Sequence, residues 1–154
     1  MNEEVKLLTV RIKPLVDDVA ALHGIKFGPK TSDVLSRFYE HDETARFIFD
    51  FFVTASTNYQ NCGGFILTNP HQLEKIHSDP PGRGKELNDN RIFAFALEGD
   101  GSFFCFGLGS RKFYNVDFCP WIGEEDPWHV CLSNTWTTLE FCEYFEMEYA
   151  QNNQ

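Results

Sequence analysis

Apolar residues near the N-terminus recur at Val5, Leu8, Ile12, Leu15, Val19 and Leu22, alternately three and four positions apart. That spacing predicts one stripe of an amphipathic helix, packed as a core face. Pro14 falls inside the run and should kink the helix or split it, because its ring removes an amide and crowds the preceding turn. Gly24 is a natural stop. After the loop Phe27-Gly28-Pro29-Lys30, Thr31 or Ser32 is placed to cap a short helix through Tyr39. Asp42 is placed to cap another, with Phe47, Ile48, Phe51 and Phe52 on one face.

The pattern then changes period. Residues 57–64 read as a polar loop ending in a tight turn, and 65–68 as a short strand. Pro70 opens a short helix carrying Leu73 and Ile76. Residues 78–85, with Pro80, Pro81 and Gly82, read as loop. Gly82-Arg83-Gly84-Lys85 lacks the spacing of a phosphate-binding loop, and no buried strand leads into it. Strands are predicted over 92–97, 102–108, 112–118 and 128–132, with turns at 98–101 and 109–110 and an acidic loop at 124–127. Short consecutive strands joined by tight turns make an antiparallel meander.

The C-terminal helix has a well-marked start. Thr137 and Glu140 have capping-box spacing, and Trp136 and Phe141 occupy the staple positions on either side of the cap. Phe141, Cys142, Phe145 and Tyr149 form its inward stripe, with Glu140 and Glu143 facing away and Glu146 at the margin. The expected architecture is a single α+β domain spanning 1–154. Its central, mostly antiparallel sheet is a meander in the second half, flanked by N-terminal helices and the C-terminal helix.

Charge sharpens this picture. The 154 residues carry 13 basic and 23 acidic side chains, a formal net charge of -10. The last cation is Lys112; beyond it Asp117, Glu124, Glu125, Asp126, Glu140, Glu143, Glu146 and Glu148 stand without a Lys or Arg. Such a field repels phosphate backbones, which disfavours nucleic-acid binding and favours a cationic partner. Acids near a helix C-terminus oppose the helix dipole, so Glu146 and Glu148 break a stability rule and point to another use of the acidity. No apolar run reaches the length of a membrane span, and the acidic start Met1-Asn2-Glu3-Glu4 is unlike a secretory signal. With five Cys, an odd number and no CxxC pair, reduced thiols in a cytoplasmic protein are expected.

The chemical motifs are few. The five His form no HExxH and no compact ligand set with the Cys, so no metal or cofactor is expected. Glu124-Glu125 could serve as paired carboxylates, but in an exposed loop such acids are ordinarily just solvated. No nucleophile signature surrounds any Ser or Cys. A binding module is favoured over an enzyme. Sheet edges and exposed aromatics would permit a homodimer.

The segment Asn61-Cys62-Gly63-Gly64-Phe65, followed by a short strand and a helix from Pro70, resembles the opening of the SUKH superfamily, the Smi/Knr-like domains. The hairpin at Gly99-Asp100-Gly101, the ending from Trp136 to Phe145, and Gly28-Pro29 with Val34, Leu35, Phe38 and Tyr39 are also similar to that family, over roughly residues 28–149. Cys62 stands where a Gly often lies in the family. The resemblance implies an α+β fold and an immunity protein that binds and neutralises a cognate toxin, frequently a nuclease. It supplies no catalytic residues.

The expected function is therefore stoichiometric inhibition of a basic, nuclease-type effector through an acidic surface. The candidate partner-binding residues are Asp117, Glu124, Glu125, Asp126, Glu140 and Glu143, with Trp121 and Trp128 as aromatic anchors. The alternative is an acidic phage or viral counter-defence protein that mimics DNA and inhibits a host enzyme.

Overall fold

The computed structural model describes residues 1–55, 60–62, 65–78, 83–98, 102–117 and 132–152. The fold is α+β, with helices packed on an antiparallel meander sheet.

The N-terminal stripe folds as two helices, α1 (Glu3–Arg11) and α2 (Lys13–His23). Asn2 caps α1 by accepting from the Val5 amide at 2.7 Å. Pro14 sits in the first turn of α2, where a missing amide costs nothing, so the chain breaks at Ile12 and restarts. The restart changes the phase. The inward row runs Val5, Leu8, Ile12, Val16 and Val19, while Leu15 is half-buried and Leu22 is 78% exposed. The expected stripe is thus corrected beyond Pro14. Gly24 ends α2 in the left-handed region at φ +66°, as its position predicts.

Ser32 caps the turn that leads into α3 (Ser36–Tyr39), its Oγ accepting from the Leu35 amide at 3.2 Å. Asp42 caps α4 (Glu43–Phe51) through the Ala45 amide at 2.9 Å. Ile48 and Phe52 are buried as expected, and Phe47 and Phe51 are half-buried. Phe49 is also fully buried, stacked on Tyr39 at 4.4 Å, because α3 covers the side of α4 that the sequence leaves facing out.

The sheet runs β1 (Gln60–Cys62), β2 (Phe65–Leu67), β3 (Ile92–Glu98), β4 (Phe103–Gly107), β5 (Phe113–Val116) and β6 (Leu132–Trp136), each antiparallel to the next. Residues 60–62 were expected within a loop, and pairing with β2 makes them a strand. Two helices follow β2: α5 (Pro70–His77), which Pro70 opens as expected, and α6 (Arg83–Asp89). The latter replaces the C-terminal part of the expected loop 78–85, because Leu87 packs fully buried against the sheet. The last strand, expected over 128–132, is described over Leu132–Trp136 and so runs on to Trp136; residues 128–131 and the turn 99–101 lie outside the described residues.

Alternation along β3 and β4 builds two cores. Phe93, Phe104 and Phe106 face α1, α4 and the C-terminal helix α7 (Thr138–Asn152), while Ile92, Ala94, Phe103 and Cys105 face α6. A bulge between Ala94 and Ala96 leaves Phe95, which alternation already places beside Phe93, without a partner on β4 and brings Ala96 into the first core next to it. There Phe141 of α7 stacks on Phe113 at 4.2 Å, with planes 5° apart, and Phe145 packs on Phe65 at 4.4 Å. Helix α7 thus crosses the sheet from β5 towards β2 with its outer face free of the core.

Candidate partner-binding surface

The start of α7 is fixed as its sequence predicts. The Thr137 amide donates to Glu140 Oε1 at 2.9 Å, and the Glu140 amide donates to Thr137 Oγ1 at 3.2 Å. The same amide and hydroxyl hold the Glu140 carboxyl below its ordinary pKa, with the Lys112 charge adding to the effect. Trp136 lies 6.0 Å from Phe141, completing the staple. Burial of Phe141, Cys142 and Phe145 then fixes the rotation of the helix.

That rotation decides what α7 presents outward. Glu140 and Glu143 are exposed on one face, one turn apart. Leu139 is 45% and Met147 49% exposed on the same face. Leu139, Glu143 and Met147 recur every four residues, so they form one ridge with Glu140 beside it. Sequence reasoning missed Leu139 and Met147 as surface residues. The signal was available, because both fall off the inward stripe of Phe141, Cys142, Phe145 and Tyr149.

The acids of α7 are not all free. Glu146 pairs with Arg11 of α1 at 2.5 Å, and this contact raises the Arg11 pKa. The cation missing from α7 is therefore supplied by a helix 135 residues away in sequence. Glu143 makes no ion pair among the described residues.

The other candidates separate. Asp117 is exposed just past β5, at the end opposite Phe113, where Trp136 pairs and α7 begins. Four strand residues separate those ends by about 13 Å, so Asp117 does not extend the α7 face. Trp121, Glu124, Glu125, Asp126 and Trp128 lie outside the described residues.

Concave features are modest. An open groove of about 560 Å³ lies beside the start of α4, lined by Asp33, Glu40, His41 and Arg46 among others. Another of about 590 Å³ lies beside the start of α5. The space between Phe47, Phe95 and Phe141 is about 10 Å³ and lined almost wholly by apolar side chains. Among the described residues no three His, Cys, Asp or Glu side chains assemble as metal ligands. No helix is long and apolar enough to cross a membrane among those residues. The described thiols, Cys105 and Cys142, are reduced and buried, and burial pushes Cys142 up to about 11. Compared with family models, curated proteins and solved structures, the chain matches none.

Proposed function

We propose that this protein is a stoichiometric inhibitor that binds a cationic protein effector of nuclease type in the cytoplasm. The observation that supports this reading is the outer face of α7, where Glu140 and Glu143 stand beside exposed Leu139 and Met147. A surface of this kind joins charge that steers an approaching cationic protein to apolar atoms that exclude water once it docks. Carboxylates on this face would stand in for phosphates in the basic groove that a nuclease offers its substrate. The resemblance to SUKH immunity domains fits this use of the surface.

The test is capture from source-cell lysate with the wild-type chain and with a Glu143→Lys/Met147→Ala variant. Both positions are exposed and outside the core, so folding is preserved. The expected result is a basic protein retained by the wild type, released by salt and held at least about tenfold more weakly by the variant. Equal retention by both proteins would remove this face from the interaction, and capture of an acidic partner alone would overturn the electrostatic reading.

A further inference from the structure

Among the described residues, strand β2 pairs with β3 from Phe65 opposite Glu98 to Leu67 opposite Ala96. Beyond that point the edge of β3 has lost its strand partner, and the Ala94 amide needs another acceptor. His77, the last residue of α5, supplies it: Nε2 lies 3.2 Å from the Ala94 nitrogen. A ring nitrogen that accepts carries no proton, so the imidazole proton is on Nδ1. Nδ1 faces Asn88 Oδ1 at 3.1 Å, and Asn88 Nδ2 returns to the His77 carbonyl at 2.8 Å, which fixes the orientation of the amide. The ring is 1% exposed, with Phe38 4.6 Å and Phe93 6.2 Å away. One neutral imidazole therefore joins α5, α6 and β3.

We propose that His77 is an acid-sensitive latch, whose protonation releases the α5–α6 pair from β3 before the rest of the fold opens. A second ring proton would sit on Nε2 and face the Ala94 N–H, donor against donor, in a site without water access. The ring can then satisfy its charge only by leaving. The charges around it give no relief. From α3, Arg37 opposes protonation. On α5, Glu74 accepts from Ser32 Oγ at 2.7 Å and Lys75 is exposed. On α6, Lys85 and Asp89 pair with each other in solvent, Glu86 is half-exposed, and β3 carries no charge between Ile92 and Leu97. Burial, reinforced by Arg37 and partly offset by Asn88, lowers the His77 pKa to about 4.

The sign follows from the two protonation equilibria. Unfolded or released, the ring takes its proton near pH 6.5; latched, it resists to about 4. The stability supplied by the neutral ring is whole above 6.5, falls as the pH drops through that window, and is exhausted near 4.

Hydrogen exchange of the full chain at pH 7.0, 5.5 and 4.5, corrected for intrinsic rates, tests this. The expected result is a loss of protection on the order of 50- to 100-fold by pH 4.5 in peptides covering α5 and α6, with α7 and β4 retained. His77→Gln keeps an acceptor without a titration, and its α5–α6 protection should be flat across the same range. Retained wild-type protection at pH 4.5, a parallel decline in the variant, or simultaneous opening of α7 would overturn the proposal. If the variant does not fold, the imidazole resonance of the wild type decides: titration near 4 supports the latch, and titration at 6 or above refutes it.

Discussion

Arg11 Nε donates to Glu146 Oε1 over 2.5 Å, joining the first helix to the most acidic one. The guanidinium thus neutralises one carboxylate of α7 and leaves Glu143 unpaired among the described residues. Arg11→Gln removes the cation and keeps a polar side chain of similar length. The expected outcome is faster capture of a cationic partner at low salt, with the gain vanishing as ionic strength rises. Stopped-flow association at two salt concentrations measures it, and equal rates for both proteins would show that Glu146 takes no part in steering.

Glu140 serves the helix before it serves any partner. Its carboxylate accepts from the Thr137 amide, so removing it disturbs the cap as well as the surface. Thr137→Ala should cost about 1 kcal/mol, the usual cost of losing a cap side chain, while leaving the outer charge intact. The Glu140 pKa is depressed in the folded chain, chiefly by the Thr137 backbone amide. The cap's carboxylate contribution is therefore present above the unfolded carboxyl pKa and lost as the pH falls through the folded one. Urea titrations of the wild type and Glu140→Gln, run at pH 7 and pH 3, should differ at the first and converge at the second.

Gly107 is required for space. A Cβ there would lie 2.5 Å from Ser110 Oγ, 2.9 Å from Tyr114 Cε2 and 3.2 Å from Ile92 Cδ1. The serine can rotate, but the Tyr114 ring and Ile92 are set by the second core. Gly107→Ala should destabilise by about 1–3 kcal/mol, the range for overpacking, and Ser110→Gly in the same chain should recover only part of it. A denaturation midpoint for each variant checks both statements.

Those features differ in how far the chain announces them. The capping box at Thr137 and Glu140, the break at Pro14 and the Asp42 cap are local, and local signals survive folding unchanged. Helix α6 was hidden because Pro80, Pro81 and Gly82 argue for a loop, while what makes Arg83–Asp89 helical is the burial of Leu87 against a distant sheet. Ala96 reads as an outward residue of an alternating strand, yet the bulge that brings it into the core beside Phe95 depends on the register between β3 and β4. The acidity of the candidate surface was legible as composition. Its division was not: Arg11 claims Glu146 across 135 residues, and Asp117 stands at the far end of β5 from α7.

Arg111 gathers three segments. Its guanidinium pairs with Glu4 of α1 and Asp42 at the start of α4, and it donates to Thr44 Oγ1 at 3.1 Å and to the Leu108 carbonyl at 3.2 Å. The group also lies over the Phe106 ring, 4.9 Å from its centroid. Asp42 carries a double load here, since its other oxygen caps α4 through the Ala45 amide. The Glu4 and Asp42 side chains are 21% and 16% exposed, so removing the cation leaves two carboxylates close together and poorly hydrated. Arg111→Met preserves most of the contact with Phe106 and should still cost about 1–3 kcal/mol, less than for a fully buried network because the site is partly wet. Arg111→Lys should recover only a fraction, because an ammonium cannot bridge both carboxylates with the geometry of a planar fork. Adding Glu4→Gln to Arg111→Met should then restore stability by relieving the repulsion on Asp42. A double-mutant cycle read by urea denaturation isolates this coupling, and additive effects would show that Glu4 and Arg111 act independently.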